Sequence, residues 1–393
     1  MSLILGVPGS WRSKLTHEFM NAIKQINSSE DFLLHLKKSI RNKDLSNSDA
    51  CLLAALYEAN INGHDIDIII SRYDDRDESD KVKQADGILL STPVYFGIAS
   101  CIIEKFIKSY DIHDKIVAVT SVGAKRNGGQ ETTNIFTLYS SLQKGAYVIG
   151  NGPESSQFGG TAWAGDFGAV SEDNFGIETS LGIGKNMSNF IDVLSTPNVN
   201  SNNLNVLVLH DTTQEKIKSF INWLQYIHIK NSLNITYLTP SNYNINHCLA
   251  CSICPPKYTK GKSYRCIQQD DFNLIHEEIV NSDIIINFDN IMDPYTYYKF
   301  MERWRWIRRD DFRIAYKPTF TFLSNYPESS SSIKNLIYFV RHNMITFPPI
   351  NGYNDPYAFN KLNESFKQAI IIRESLKQFS RRTEYYPVGY NIF

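Results

Sequence analysis

Little in this sequence carries a net charge of one sign. Its 40 lysines and arginines stand against 41 aspartates and glutamates, for a formal charge of −1. That balance removes a global electrostatic case for nucleic acid or for an anionic membrane surface. Cysteine is sparse, six in 393 residues, and four of the six fall between positions 248 and 266, unlike the framework of a secreted disulfide domain. No uninterrupted apolar run is long enough to span a bilayer. The opening Met1-Ser-Leu-Ile-Leu-Gly-Val-Pro-Gly9 lacks the basic start and the length of a signal segment. No Gly-x-Gly-x-x-Gly follows a strand-like run, which weighs against a stable Rossmann nicotinamide site. These absences lead us to expect a soluble, cytoplasmic protein. Aromatic residues are plentiful (22 Tyr, 22 Phe, 5 Trp), enough to fill cores, and the length suits two domains or one large one.

The pattern along the chain favours two. Residues 2–7 and Asn205-Val-Leu-Val-Leu-His210 each open a half with a short apolar run. A second strand-like run follows in each, Asp65–Ile70 and Asn234–Leu238, and then a third introduced by a small residue and an acid, Ala85-Asp86 and Ser282-Asp283. Each third run is followed by an amphipathic segment with a Lys-Phe pair, Lys105-Phe106 and Lys299-Phe300, and then by a further run, Lys115–Thr120 and Thr319–Leu323. Apolar runs alternating with helical stretches specify an α/β fold whose parallel sheet is covered on both faces. We therefore expect two tandem doubly wound sheets, residues 1–194 and 204–393, joined by a polar linker over 195–203.

In such sheets ligands bind beyond the carboxyl ends of the strands, where strand order reverses. The loops at that end of the first half are distinctive. After the first strand, Gly6-Val-Pro-Gly-Ser-Trp-Arg12 offers turn glycines, the Ser10 hydroxyl and the Arg12 guanidinium, a set suited to an anion. After the third come Thr92, Pro93, Val94, Tyr95, Phe96 and Gly97. After the fourth, Ser121, Val122 and Gly123 lead to Gly128, Gly129, Gln130 and Glu131. Taken in order, with Gly159-Gly-Thr-Ala-Trp163 and Ser171-Glu-Asp-Asn174 further on, these loops resemble those of the flavodoxin-like NADPH-dependent FMN reductases, and particularly the NAD(P)H:quinone oxidoreductases among them. The resemblance covers residues 2–194. It implies that Thr92–Gly97 and Ser121–Glu131 hold the isoalloxazine ring of FMN, with NAD(P)H as a transient substrate.

The family's phosphate loop runs directly into the Ser/Asn/Thr cap of the first helix. Here Ser46, Asn47 and Ser48 stand some thirty residues after Arg12. Residues 13–44 are read as an inserted helical excursion, with Ser46–Ser48 completing the phosphate site. The alternative makes Ser13–Lys24 the first helix and puts Ser13 and Thr16 on the phosphate.

The second half keeps the frame and changes the loops. Thr212 and Glu215 are spaced as a capping box, which fills that helix start with its own carboxylate, so this half is expected to bind no FMN. It carries Cys248, Cys251 and Cys254, with Cys266 twelve positions on and then Asp270-Asp271. This segment resembles that of the iron–sulfur flavoproteins, which implies a [4Fe–4S] cluster on the four cysteines. Structural thiols, or zinc aided by His247, are the alternatives. Arg303-Trp-Arg-Trp-Ile-Arg-Arg309 interleaves cations and aromatics, as single-stranded nucleic acid binders do. At a net charge near zero it is read as a packed helix end whose cations are solvated or face acids.

The resemblance as a whole implies an FMN-dependent oxidoreductase serving a small-molecule or protein electron acceptor, without nucleic acid or membrane partners and compatible with a homodimer. An iron–sulfur electron carrier and a non-catalytic flavin sensor or scaffold are the alternatives.

Overall fold

In the computed structural model, residues 2–70, 77–152, 158–165, 169–195, 203–210, 218–231, 233–251, 266–288, 294–305, 307, 313–323, 330–351 and 356–378 are described. The chain divides into two units, Met1–Asp192 and Val193–Phe393.

The first unit starts with β1 (Leu3–Pro8), whose Leu-Ile-Leu-Gly-Val core is shielded on both faces. Two helices follow, α1 (His17–Lys24), capped by the Thr16 hydroxyl, and α2 (Ser29–Arg41), capped by Ser28. Only then comes α3 (Asn47–Ile61), the helix that packs against β1 and the strands beside it. Nearly every residue of α3 is buried, acid and tyrosine included. A helix apolar all round must be covered all round, and α1 and α2 cover the face turned away from the sheet: the Phe32 ring stacks on Tyr57 with centroids 3.8 Å apart.

The remaining elements are β2 (Asp65–Ile68), α4 (Ser79–Gln84), β3 (Gly87–Pro93), α5 (Cys101–Ser109), β4 (Ile116–Gly123), α6 (Gln130–Gln143), β5 (Tyr147–Val148), β6 (Gly160–Trp163) and α7 (Asn174–Ser195). The strands are parallel in the order β2-β1-β3-β4-β5, the flavodoxin order. β4 is long enough to pair with β5 at its start and β6 at its end.

The second unit comprises β7 (Leu204–Leu209), α8 (Lys218–Asn231), β8 (Leu233–Leu238), α9 (Phe272–Asn281), β9 (Ile284–Phe288), α10 (Pro294–Arg303), β10 (Pro318–Leu323), a helix over Ser330–Arg341, β11 (Ile345–Thr346), β12 (Ile350–Asn351) and a helix over Pro356–Gln378. Its order is β8-β7-β9-β10-β11, again with a split last strand, β12, on the far end of β10. Strand for strand it has the topology of the first unit. One of its cores gathers Leu207, Ile285, Phe300, Trp304 and Phe339. Thr212 and Glu215, the linker beyond Ser195 up to residue 202, and Trp306, Arg308 and Arg309 lie outside the described residues.

Candidate functional site

At the carboxyl end of the first sheet the loop after β1 is folded tightly. The Gly9 amide donates to the Ser91 carbonyl at 2.7 Å, and a Cβ on Gly9 would meet that oxygen at 2.6 Å, so the chain can pass only as glycine. Ser10 Oγ accepts from the Arg12 amide (3.1 Å), and the Ser13 amide donates to the Ser10 carbonyl (3.0 Å). The Lys14 amide then donates to Asp49 Oδ2 (3.0 Å), tying this turn to the start of α3.

That start is a capping box. The Asp49 amide donates to Ser46 Oγ (3.1 Å) and the Ser46 amide to Asp49 Oδ2 (3.2 Å). Ser48 is fixed from the other side by Ser91 Oγ, which donates to its carbonyl at 2.7 Å. Ser10, Ser46 and Ser48 are thereby gathered around one helix start, where the first-turn amides of Asn47 and Ser48 have no intrahelical acceptor; Arg12 is exposed beside them. Thr16, weighed above as a phosphate ligand, caps α1 instead; Ser13 is buried, as are Ser10 and Ser48. Asp49 is a residue the sequence reading left out, although the Ser46-x-x-Asp49 spacing displays it. It is fully buried, and burial, outweighing the hydrogen bonds it accepts, pushes its carboxyl above the usual carboxylate range.

The next two loops are held against each other. The Val94 amide donates to the Val122 carbonyl (3.0 Å), and Tyr95 and Ile98 exchange a pair of backbone bonds around a tight turn. Phe96 sits at that turn with φ 55° and is fully exposed; Tyr95 is half exposed. Gly129, the residue before α6, has φ 93°, and a Cβ there would lie 3.2 Å from the Gly97 Cα. Close approach of the two loops therefore requires glycine at 129.

Several residues nominated for the ring do other work. Thr92 Oγ1 accepts from the Ser100 amide and donates to the Pro93 carbonyl, both at 2.9 Å. Ser121 Oγ donates to the Gln130 carbonyl (3.0 Å). The buried Gln130 side chain donates to the carbonyls of Lys125 (2.7 Å) and Ala162 (3.0 Å) and accepts from the Gly128 amide (2.8 Å). These three staple the loops; Val94, Tyr95, Phe96, Gly97, Gly128, Gly129 and Glu131 are left at least partly accessible, and Val122 and Gly123 are buried. A second anchor lies within the Ser171–Asn174 motif, which the sequence reading quoted without giving it a role. Asp173 accepts from the amides of Trp163 (2.7 Å) and Gly176 (2.9 Å) and pairs with Arg126, which lies over the Phe175 ring.

In the second unit the cysteine segment is organised by its neighbours. The Cys266 amide donates to Asn273 Oδ1 (2.9 Å), and Asn273 Nδ2 donates to the Gln268 carbonyl (2.8 Å). Arg303 and Asp270 form a buried pair (Nη2 to Oδ1, 3.1 Å), the guanidinium lying over Phe272. Burial alone would raise the Asp270 carboxyl; Arg303 and the amides of Asn246 and Phe272 outweigh it and hold the group below the usual carboxylate range. Arg303 and Trp304 are both buried, so the start of the Arg-Trp run is core facing an acid. His247 is engaged at both ring nitrogens, Nε2 with Tyr295 Oη (2.6 Å) and Nδ1 with Glu302 (3.3 Å). Cys254 lies outside the described residues. Among the described ones no group of three or more His, Cys, Asp or Glu residues could hold a metal ion, so Cys248, Cys251 and Cys266 do not by themselves form a centre. None of the described helices is long and apolar enough to cross a membrane.

Residues 3–152 match the family model of the NADPH-dependent FMN reductases. The chain is 27% identical over 208 residues to an iron–sulfur flavoprotein of Methanocaldococcus jannaschii, covering 49% of this chain and 98% of that one. It is 30% identical over 131 residues to an iron–sulfur flavoprotein of Methanosarcina thermophila, covering 31% of this chain and 64% of that one. Among solved structures, a flavone reductase aligns at a TM-score of 0.32 and 17% identity, over 51% of this chain and 68% of that one, too weak a likeness to carry an argument.

Proposed function

We propose that the first unit binds FMN across the carboxyl ends of β1, β3 and β4, and that the chain is a flavin-dependent oxidoreductase. The observation that carries this reading is the family match over residues 3–152, which encloses the three loops that the fold pins together. The phosphate, a dianion, is taken by the first-turn amides of α3, the hydroxyls of Ser10, Ser46 and Ser48, and Arg12. The Ser46 hydroxyl accepts from the Asp49 amide within the capping box and lies 3.3 Å from the Ser48 hydroxyl. Pro93 and the turn at Tyr95–Ile98 present Phe96 and Tyr95 as an aromatic wall for the ring. The backbone around Gly97 and Gly129 supplies close amide contact. When bound, FMN supplies the hydride and electron chemistry, so no side-chain acid or base is required. The donor in this reading is NAD(P)H or a reduced protein, and the acceptor a small molecule such as a quinone. The equal strand order of the two units supports an origin by tandem duplication, with boundaries near 194 and 204.

A second reading, an iron–sulfur electron carrier, is favoured by the likeness to two iron–sulfur flavoproteins together with Cys248, Cys251, Cys254 and Cys266. The described cysteines do not gather into a centre, so no electron step is routed through one.

The test is the absorption spectrum of anaerobically purified protein with iron and acid-labile sulfide assays. Flavin bands that NADPH bleaches and a quinone restores, without iron, are expected for the first reading. Stoichiometric iron and sulfide select the second. Flavin that no nicotinamide reduces leaves the sensor or scaffold, and protein that cannot be reconstituted with FMN defeats all three.

A further inference from the structure

Strand β10 reads Pro-Thr-Phe-Thr-Phe-Leu, an alternation that belongs to a sheet with one face in water. Both faces of β10 are nevertheless covered: Thr319 is 0% and Thr321 6% exposed, and Phe320 and Phe322 are wholly buried. The phenylalanines lie on the face where Phe220 packs on Phe288 and Phe322, and Phe366 on Phe320. The threonines share the other face with Leu207, Leu209 and Ile285, whose core is closed by Phe300, Trp304 and Phe339.

Register joins the polar residues of that face into one patch. Thr321 pairs with Asn287 of β9; Thr319, two positions before it, pairs with Thr346 of β11. Paired residues on neighbouring strands stand about 5 Å apart and alternate residues of one strand about 7 Å, so the four side chains adjoin. On the helices that cover this face, Tyr297 Oη of α10 is bonded to Asn335 Oδ1 of the helix over Ser330–Arg341. Five polar atoms of this layer are buried and have no hydrogen-bond partner among the described residues: Asn287 Nδ2 and Oδ1, Thr319 Oγ1, Thr346 Oγ1 and Asn335 Nδ2.

The fold itself does not require such a patch. In the first unit the same pairings put Leu90, Val117, Val119 and Val148 at the matching places, all buried and all apolar. A buried amide or hydroxyl without a partner is costly. The five atoms include donors and acceptors together, which neither an anion nor a cation satisfies. Lys317, the charged residue on the same face of β10, is committed to the Val280 and Ser282 carbonyls at the end of α9.

We propose that the second unit has an internal water site between β9, β10 and β11 and the two helices, held by Asn287, Thr319, Thr346 and Asn335. At about three hydrogen bonds per buried water, the five atoms call for about two molecules. The site takes a small neutral molecule that both donates and accepts, and it is independent of the flavin reading.

Water ¹⁷O magnetic relaxation dispersion, which counts long-lived internal waters, tests this on the full chain. The wild type is compared with Thr319→Val/Thr346→Val and with Asn287→Leu/Thr319→Val/Thr321→Val/Thr346→Val, which carries the first unit's residues on the sheet. The dispersion amplitude is expected to fall by about two waters in the quadruple variant and by about one in the double variant. Equal amplitudes in the wild type and the quadruple variant overturn the proposal. Should the quadruple variant not fold, the double variant decides, and an unchanged amplitude there overturns it. Melting gives an independent sign, because valine is close to threonine in volume. Removing a hydroxyl that water satisfies lowers Tm, whereas removing an unpaired one raises it. A double variant that melts above the wild type therefore overturns the proposal, as does a bromide- or rubidium-soaked crystal with the ion seated on Asn287.

Discussion

Asp86 and Asp283 make the same pair of bonds in the two units. The Asp86 amide donates to the Leu3 carbonyl (2.8 Å) while its Oδ2 accepts from the Leu3 amide (2.9 Å). The Asp283 amide donates to the Asn205 carbonyl (2.7 Å) while its Oδ2 accepts from the Asn205 amide (2.9 Å). Each aspartate locks the first strand of its sheet to the third before either ladder begins. The likeness continues along the chain. Asp114 and Tyr316 both have positive φ and donate to the carbonyls of Gly145 and Asn343, and Lys115 and Lys317 follow them, each with Nζ on a backbone carbonyl near the end of the helix before the third strand, Lys83 in α4 and Val280 in α9. Replacing Asp86 or Asp283 by Ala is expected to cost about 1–2 kcal/mol in each case. Replacement by Asn, which keeps the acceptor, should cost less than half of that. Denaturant unfolding of the four variants checks this.

Phe96 holds a left-handed backbone with its ring in solvent, which has no structural explanation among the described residues. Strain of this kind costs about 1–3 kcal/mol. Phe96→Gly should leave the apo protein equally or more stable, by up to about 1 kcal/mol, while FMN binding weakens by about three- to tenfold, the worth of one aromatic stacking contact. Thermal melts beside fluorescence titration with FMN separate the two effects. Unchanged affinity would remove Phe96 from the ring site.

Asp173 joins β6, the start of α7 and the Arg126 loop. Asp173→Ala leaves two amides and a guanidinium without their acceptor, and is expected to destabilise the protein by about 3 kcal/mol or more. Arg126→Met, which strands the buried carboxylate, should be nearly as damaging. Unfolding curves for the two variants, with the double variant closing the cycle, measure the coupling.

The Asp270–Arg303 pair gives the second unit an acid-sensitive element. The folded Asp270 carboxyl lies below its unfolded value of 3.8, so its stabilisation is present above about pH 4 and is lost as pH falls through the lower folded value. Asp270→Asn should cost about 3–5 kcal/mol at pH 7, because Arg303 stays buried without its counter-charge, and should flatten the decline of stability below pH 4. Stability measured from pH 2.5 to 7 tests both parts. An unchanged acid limb in the variant would exclude this pair as its source.

The sequence by itself determined the elements and their order. Strand-like runs such as Ile284–Phe288 and Ile116–Val119 are apolar on both faces, and that pattern, repeated between helices, admits few folds besides a covered parallel sheet. It also displayed the excursion of α1 and α2, because the Ser46–Ser48 cap stands some thirty residues after Arg12; that this excursion covers the outer face of α3 is seen only in the fold. What it left undecided is how each polar side chain is spent. Thr92, Ser121 and Gln130 look like ligands in the sequence and act as staples in the fold, since a hydroxyl or amide bonds to whichever backbone group the packing brings near. The sequence reads the Arg303–Arg309 run as a packed helix end whose cations are solvated or face acids; the fold puts Arg303 and Trp304 in the core, because Asp270, thirty-three positions away, neutralises the guanidinium there. Asp49 reads as an ordinary helix cap until its burial is seen. Local spacing sets which backbone elements form; only the long-range contacts between them decide which groups are left facing a ligand.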